Sequence, residues 1–428
     1  MREDFLHYIW KNNYLLNKNL RLVNGDILQI ISSGEHNKLS GPDFMGAHLK
    51  IGTQEWAGNV EIHTHSSHWY AHGHEKDRTY GNIILHVVWQ HDSEVFDYHN
   101  NIIPTLELQS IVSQEILDTY HDFFNRPTSF IPCEKELIHI ENSVWNIWKS
   151  TLYLERLKEK SSLILKMLQD TQNDWESVFF RLMMRYFGGN INGEIFENAA
   201  RKIPFTIIRK ELHRIESLEA LLFGQLGLLT GEALDTYQKT LQTEYQYQQH
   251  KYQLLTSEIG VQFFKLRPSN FPTIRLSQLA NFYNKEKNLF AKCLSINSIE
   301  EWQTLVTSIS TSEYWKTHYT FTKESKSKIK KITKLQAELL WINVIIPIQY
   351  TYAIFLNELN NSSFLTKMTN VPVEENAILN KFQNLKVVIN NALESQAILQ
   401  LYKKYCSKHE CLRCQIGITL LKQKILPF

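Results

Sequence analysis

A chain of 428 residues, 43% of them apolar, has enough material for two or three buried cores, which excludes a disordered protein. Its formal charge of +2 gives only a weak overall field, so a nucleic-acid partner would have to meet a local basic surface. Five cysteines at this length exclude a disulfide framework.

The chain opens with Glu3 and Asp4, acids where an export signal needs bases, followed by Phe5, Leu6, Ile9 and Trp10 at helical spacing. A first amphipathic helix and a cytoplasmic location are expected. Asn24-Gly25 between two apolar runs predicts a tight hairpin leading into a strand over Asp26 to Ser32. A turn-rich loop follows, from Gly34 to Gly41. Alternation in Ala47, Leu49 and Ile51, and again in Val60 and Ile62, predicts two half-buried strands. Ser67 to Tyr80 has a helical pattern, Ile83 to Trp89 is apolar enough for a central strand covered on both faces, and another strand is expected within Ile102 to Leu108.

From Trp145 onward the periodicity is helical, as in Trp148 to Met167, Asp174 to Phe187 and Leu218 to Leu229. The expected division is an α/β domain over residues 1–125 and an all-α domain over residues 126–428 that ends in a cysteine cluster. Leu339 to Leu356 is apolar, yet Asn343, Pro347 and Gln349 interrupt it, which suits a buried, kinked helix and no membrane span.

Asp43, in Gly41-Pro42-Asp43-Phe44, precedes one strand, and Glu61, in Val60-Glu61-Ile62-His63, lies on the next. Phosphodiester hydrolysis needs a divalent ion, and hard carboxylate oxygens are natural ligands for Mg²⁺ or Mn²⁺. Period-two geometry puts Glu61 and His63 on one face of their strand, so both could reach one ion or its water. Glu35 is a further acid on the preceding loop. The plainer reading is that Asp43 caps its Gly-Pro turn and Glu61 pairs with a surface base.

The order helix, three strands, helix, strand, with acids at these two places, resembles the core of PD-(D/E)XK nucleases over the first quarter of the chain. The resemblance implies a metal-dependent nuclease acting on DNA or RNA, with the Ile62 carbonyl as a further ligand. His63 stands where that core carries a lysine; an imidazole supplies no permanent charge, and a rate limb in the histidine range, near 6.5, is expected if it activates water. A non-catalytic binding module on the same fold is the competing class. Lys76, Asp77 and Tyr80 occupy the place of a DNA-contacting motif in some relatives of that core.

Ten of the seventeen histidines fall between His36 and His99, and His63-x-His65-x-x-His68 resembles the zinc motif of metallo-β-lactamase-like hydrolases, with Ser67 where that motif has Asp. His72 and His74, two apart on a helix, should not share a face. Cys406, Cys411 and Cys414 offer three thiolates for Zn²⁺ or an iron–sulfur cluster, with His409, Cys133 or Cys293 as fourth ligand, against the alternative of thiols packed as small hydrophobes. Some nucleases of the resembled fold close with such a cluster. Arg267, Asn270 and Arg275 have the composition of a phosphate grip or of a buried loop, and the six lysines from Lys323 to Lys334 suggest a solvated helix face or an extension of a phosphate track. Taken with GPDF, VEIH, HGHEKDRTY with LHVV after it, LLFGQLGLL and RPSNFPTIR, the terminal cysteines make nearly the whole chain resemble a bacterial family of domains of unknown function. That second resemblance implies a shared fold and no known activity.

Overall fold

The computed structural model describes residues 2–11, 14–15, 19–37, 40–112, 114, 117–118, 120, 130–255 and 260–425. It divides into two compact units, residues 1–145 with 402–428, and residues 146–401. The boundary expected at residue 125 lies outside the described residues. The cysteine-bearing end of the chain belongs to the first unit.

The first unit is built on a mixed sheet of β1 (Leu20–Arg21), β2 (Ile27–Ser32), β3 (Glu35–His36), β4 (Phe44–Ile51), β5 (Gln54–His65), β6 (Ile83–Gln90) and β7 (Thr105–Glu107). Its order is β1-β2-β4-β5-β6-β7, with β3 pairing β4. The hairpin forms where expected: Leu22 N–H donates to Asp26 O and Gly25 N–H to Leu22 O, both at 2.9 Å. Neighbours are antiparallel as far as β5; β6 then lies parallel to β5, and β7 parallel to β6. The two ends of the sheet come together where Val23 N–H donates to Thr105 O at 2.9 Å, so the sheet is nearly closed.

Helix α1 (Glu3–Lys11) buries Phe5, Leu6, Ile9 and Trp10 as its spacing predicts, and Trp10 Nε1 donates to Ser33 O at 3.0 Å. Strand β5 is covered on both faces: Val60 and Ile62 point one way, Glu61 and His63 the other, and all four are buried. Burial of Glu61 and His63 marks that second face as a place where polar groups must find partners or a ligand.

Ser67 to Tyr80 is not one helix. It consists of α2 (His68–Ala71) and two 3₁₀ turns, His74–Lys76 and Arg78–Tyr80. Gly73 breaks the helical course at φ +73°, and the Asp77 carboxylate accepts from Thr79 N–H, starting the last turn afresh.

The second unit is helical, as the periodicity predicts, with long helices over Trp175–Arg201, Thr236–Tyr252 and Pro272–Lys285. The apolar run continues through Lys334–Leu340, a π turn at Trp341–Ile345 and Ile346–Phe355. Proline lacks the N–H that an α-helix needs, and the π turn falls just ahead of Pro347. Among the described residues this is the one helix long and apolar enough to cross a membrane, and 61% of its most apolar window is buried inside the protein. The lysine-rich segment is not a helix. Residues 325–330 form neither helix nor strand; Lys328 N–H donates to Lys316 O at 2.9 Å, and the Lys330 ammonium is buried on the carbonyls of Trp315 and Lys316.

Candidate metal centre

Asp43 and Glu61 meet across β4 and β5 as their spacing suggests. Asp43 N–H donates to Glu61 Oε2 and Ile62 N–H to Asp43 Oδ2, each at 3.0 Å. The Asp43 carboxylate is therefore tied to the neighbouring strand. Glu61 is buried against histidines, so the surface ion pair that the plainer reading assigns to it is not formed.

Four side-chain atoms converge beside this pair. His63 Nε2 lies 3.1 Å from His72 Nδ1 and 3.7 Å from Glu61 Oε1, and His74 Nε2 lies 3.3 Å from that same oxygen. His63, His72 and His74 each place a ring nitrogen within 4.8 Å of the others. Ligands bound at about 2.1 Å to one ion stand roughly 3.0–3.4 Å apart, so these groups could hold a metal after small side-chain shifts. Both His72 and His74 enter the cluster, contrary to the helical expectation, because Gly73 in its left-handed conformation reverses the chain between them.

Helix α1 adds two groups one turn apart. His7 Nε2 is 3.2 Å from Asp43 Oδ2, and Glu3 is close enough to feel the charges of His7, Asp43 and Glu61. Three buried atoms in this group make no hydrogen bond: Glu3 Oε1, His7 Nε2 and His74 Nε2. The two imidazole nitrogens face carboxylate oxygens off the line of a hydrogen bond, an arrangement that suits lone pairs directed at a shared cation.

The electrostatics divide the cluster. Burial, then the neighbouring His86, His72, His74 and His68, pull His63 down to about 2. Burial, with His74 and His91, pulls His86 to about 3. Both are thus held toward the neutral imidazole, the form that binds metals, which moves any rate limb set by His63 below its unperturbed place near 6.5. Burial opposes charge on His7, yet the Asp43 carboxylate beside it, helped by Glu3 and Glu61, carries it above its usual value. Burial raises Glu61, against the pull of His74, and raises Glu3 to about 7.

A second layer holds these rings. His63 Nδ1 shares a 2.9 Å hydrogen bond with His86 Nε2, while Tyr80 stacks on His74 at 3.9 Å between centroids and Trp69 meets both His74 and His86 edge-on or tilted. Asp92 anchors the start of the histidine turns by accepting from Ser67 N–H and Ser67 Oγ, each at 2.8 Å.

The remaining expectations fare unevenly. Glu35 is exposed on β3, opposite Met45 in the register. Of the zinc-type run, His63 joins the converging trio, whereas His65 and His68 meet each other at a tilt, 5.3 Å between centroids, and Ser67 is spent on Asp92. Lys76 is exposed beside Glu75, while Tyr80 is turned inward as a support. Arg275 does not present a phosphate grip: it is buried, donating to Asn270 Oδ1 at 2.7 Å and Gln278 Oε1 at 3.0 Å, with burial lowering it to about 10. Arg267 and Asn270 are exposed. Sequence reasoning missed Glu3, His7 and His86; the only signal was the i, i+4 spacing of Glu3 and His7 on one helix face.

Fold and site together define an α/β unit whose nearly closed mixed sheet carries a buried histidine and carboxylate cluster at ligand-like spacing. The chain belongs to the family described as Protein of unknown function (DUF2851), whose model matches residues 3–377. That span contains every member of the cluster and ends before Cys406. No curated protein and no solved structure matches the chain.

Proposed function

We propose that this protein is a metal-dependent phosphodiesterase acting on DNA or RNA, with a centre formed by Asp43, Glu61, His63, His72 and His74. The convergence of three imidazole nitrogens within 4.8 Å of one another, with Glu61 Oε1 3.3 Å from His74 and 3.7 Å from His63, carries the reading. The strand order supports the phosphodiester class. An N-terminal helix, antiparallel strands with Asp43 just before one and Glu61 on the next, a short helical crossover and a parallel strand are compatible with the resembled nuclease core.

A bound divalent ion would polarise the phosphoryl oxygen and lower the pKa of an attacking water. The mixed nitrogen and oxygen set favours a borderline ion such as Mn²⁺ or Zn²⁺ over Mg²⁺, which prefers oxygen. His63, held neutral between His72 and His86, serves as a ligand and does not replace a charged lysine. Glu3, at about 7 and with one buried oxygen unbonded, is poised to carry a proton at neutral pH. Lys76 provides an exposed cation on the turn that follows His74.

End-labelled DNA and RNA oligonucleotides incubated with Mn²⁺, Zn²⁺ or Mg²⁺ test the reading. Cleavage supported by Mn²⁺ or Zn²⁺ and lost in Glu61→Gln and His74→Ala is expected. No cleavage with any of the three ions, or equal cleavage by the variants, overturns it.

A further inference from the structure

The six lysines from Lys323 to Lys334, with Glu324 as the one acid among them, do not form a loose charged run. Their backbone is laced to residues 309–317. Ser325 N–H donates to Thr317 O at 2.6 Å, Lys328 N–H to Lys316 O at 2.9 Å and Ile332 N–H to Ile309 O at 3.1 Å, while Thr311 N–H donates back to Lys330 O at 3.3 Å. Lys330 is the peg. Its ammonium is buried on the carbonyls of Trp315 and Lys316 and lies 4.2 Å from the centroid of the Tyr319 ring, and the buried Gln278 donates to its carbonyl at 3.1 Å. Burying a charge is costly, and a run of lysines that served solubility alone needs no such fixing.

The other five lysines face solvent. Lys323, Lys326, Lys328, Lys331 and Lys334 are exposed, and among the described residues none of them forms an ion pair, whereas the neighbouring Lys316 is taken up by Glu313 at 2.6 Å. Cations left unneutralised on a backbone already held in place suit a polyanion, because little ordering remains to be done on binding.

A column of rings stands beside this surface. Tyr237, Tyr314 and His318 stack nearly parallel, at 4.2 Å and 13° and then at 4.1 Å and 7°. Asp235 accepts from the Tyr314 hydroxyl at 2.5 Å, and His318 Nδ1 lies 3.1 Å from Tyr314 O, so the middle and end rings are fixed. The end ring, His318, is partly buried and belongs to a backbone bridge with Glu324, inside the lysine segment. Lysines for phosphates next to a stack that one more ring can lengthen match a strand with unpaired bases, whereas a duplex keeps its base faces covered.

We propose that the lysine segment 323–334 and the His318 ring form a track for single-stranded nucleic acid, with the lysines on phosphates and His318 against a base. This names the strand form of the substrate and rests on the phosphodiesterase reading for its role, but the contact lies wholly within the helical unit and needs no metal. Ile329 and Leu335 are also exposed on the segment, which makes an anionic lipid surface the rival occupant. The ring column favours the nucleic acid.

Fluorescein-labelled oligo(dT) and oligo(rU) of about 20 nucleotides are titrated with the full chain in EDTA, and anisotropy is followed between about 50 and 200 mM salt. Engagement of about four lysines by a single strand gives a log–log salt slope of about −3. The triple variant Lys326→Gln, Lys328→Gln, Lys331→Gln should bind at least about tenfold more weakly with a slope shallower by about 2, and arginine at the same three positions should restore binding. All three positions are exposed, so these variants keep the fold. His318→Ala should cost about fivefold or more and His318→Tyr should not, while a duplex of equal length binds more weakly. Glu61→Gln should bind as wild type does. Lysine-dependent binding without cleavage supports the track and overturns only the phosphodiesterase reading; cleavage with unchanged binding by the glutamine triple variant overturns only the track. No binding by wild type, a duplex bound as tightly as a single strand, or adsorption to phosphatidylserine vesicles with none to oligonucleotide also overturns it.

Discussion

Asp43 and Glu61 hold each other by reciprocal hydrogen bonds, each carboxylate accepting a backbone N–H from the other's strand segment. One oxygen of Glu61 is committed to this brace, and the other faces His74 and His63. The acids thus position each other before any ligand arrives, which lowers the ordering cost of binding one.

The amide variants Asp43→Asn and Glu61→Gln keep an oxygen that can accept those N–H groups, so they should fold and lose metal affinity by a factor of roughly ten or more. Calorimetric titration with Mn²⁺ and Zn²⁺ reads this directly. Asp43→Ala should instead lose about 1–3 kcal/mol of stability, because it leaves the Ile62 N–H without its partner. Unchanged affinity in Glu61→Gln would remove Glu61 from the ligand set.

Gly73 stands at φ +73° with open space around the position of a Cβ. Gly73→Ala should therefore cost about 1–2 kcal/mol through backbone strain alone, with no steric clash. Metal affinity should fall further than stability, since the same backbone reversal aims both His72 and His74. Denaturant melts alongside metal titration separate the two effects, and a variant that binds metal as well as wild type would show that the turn does not set the geometry.

Glu219 of the helical unit is fully buried, and burial raises it to about 7 despite hydrogen bonds from Ser277, Tyr237 and Ser312. The folded state holds this proton more tightly than the unfolded chain does. Its stabilising contribution is therefore complete below about 4.5 and is lost as pH rises through about 7, a change of about 3 kcal/mol. Glu219→Gln should flatten that part of the stability profile and gain relative to wild type between pH 5 and pH 8. Parallel profiles for the two proteins in urea melts would show that Glu219 is already ionised in the fold.

Arg275 donates to Asn270 and Gln278 inside the helical unit. Arg275→Ala should lower stability by about 2 kcal/mol or more, by leaving buried amide oxygens unpaired and a void behind. Binding of a labelled oligonucleotide should change little at a temperature where the variant is folded. Intact stability together with weakened binding would return Arg275 to a phosphate-contacting role.

Local patterns in the sequence determine much of this protein, because periodicity and turn chemistry act over a few residues. The apolar stripe of α1, the Asn24-Gly25 hairpin, the alternation of β4 and β5, the double-sided burial of β6 and the helical second unit are all legible that way. So is the pairing of Asp43 with Glu61, since neighbouring strands bring such positions together. The histidine centre required the tertiary structure. One glycine in a left-handed conformation overrides the helical spacing of His72 and His74, and packing of α1 on the sheet brings Glu3 and His7 to Asp43. The burial of Arg275, whose hydrogen-bond partners Asn270 and Gln278 are near it in sequence, was likewise decided by how the helical unit packs around them. Local sequence records which face a side chain takes on its own element, but which distant element covers that face depends on how the whole core closes.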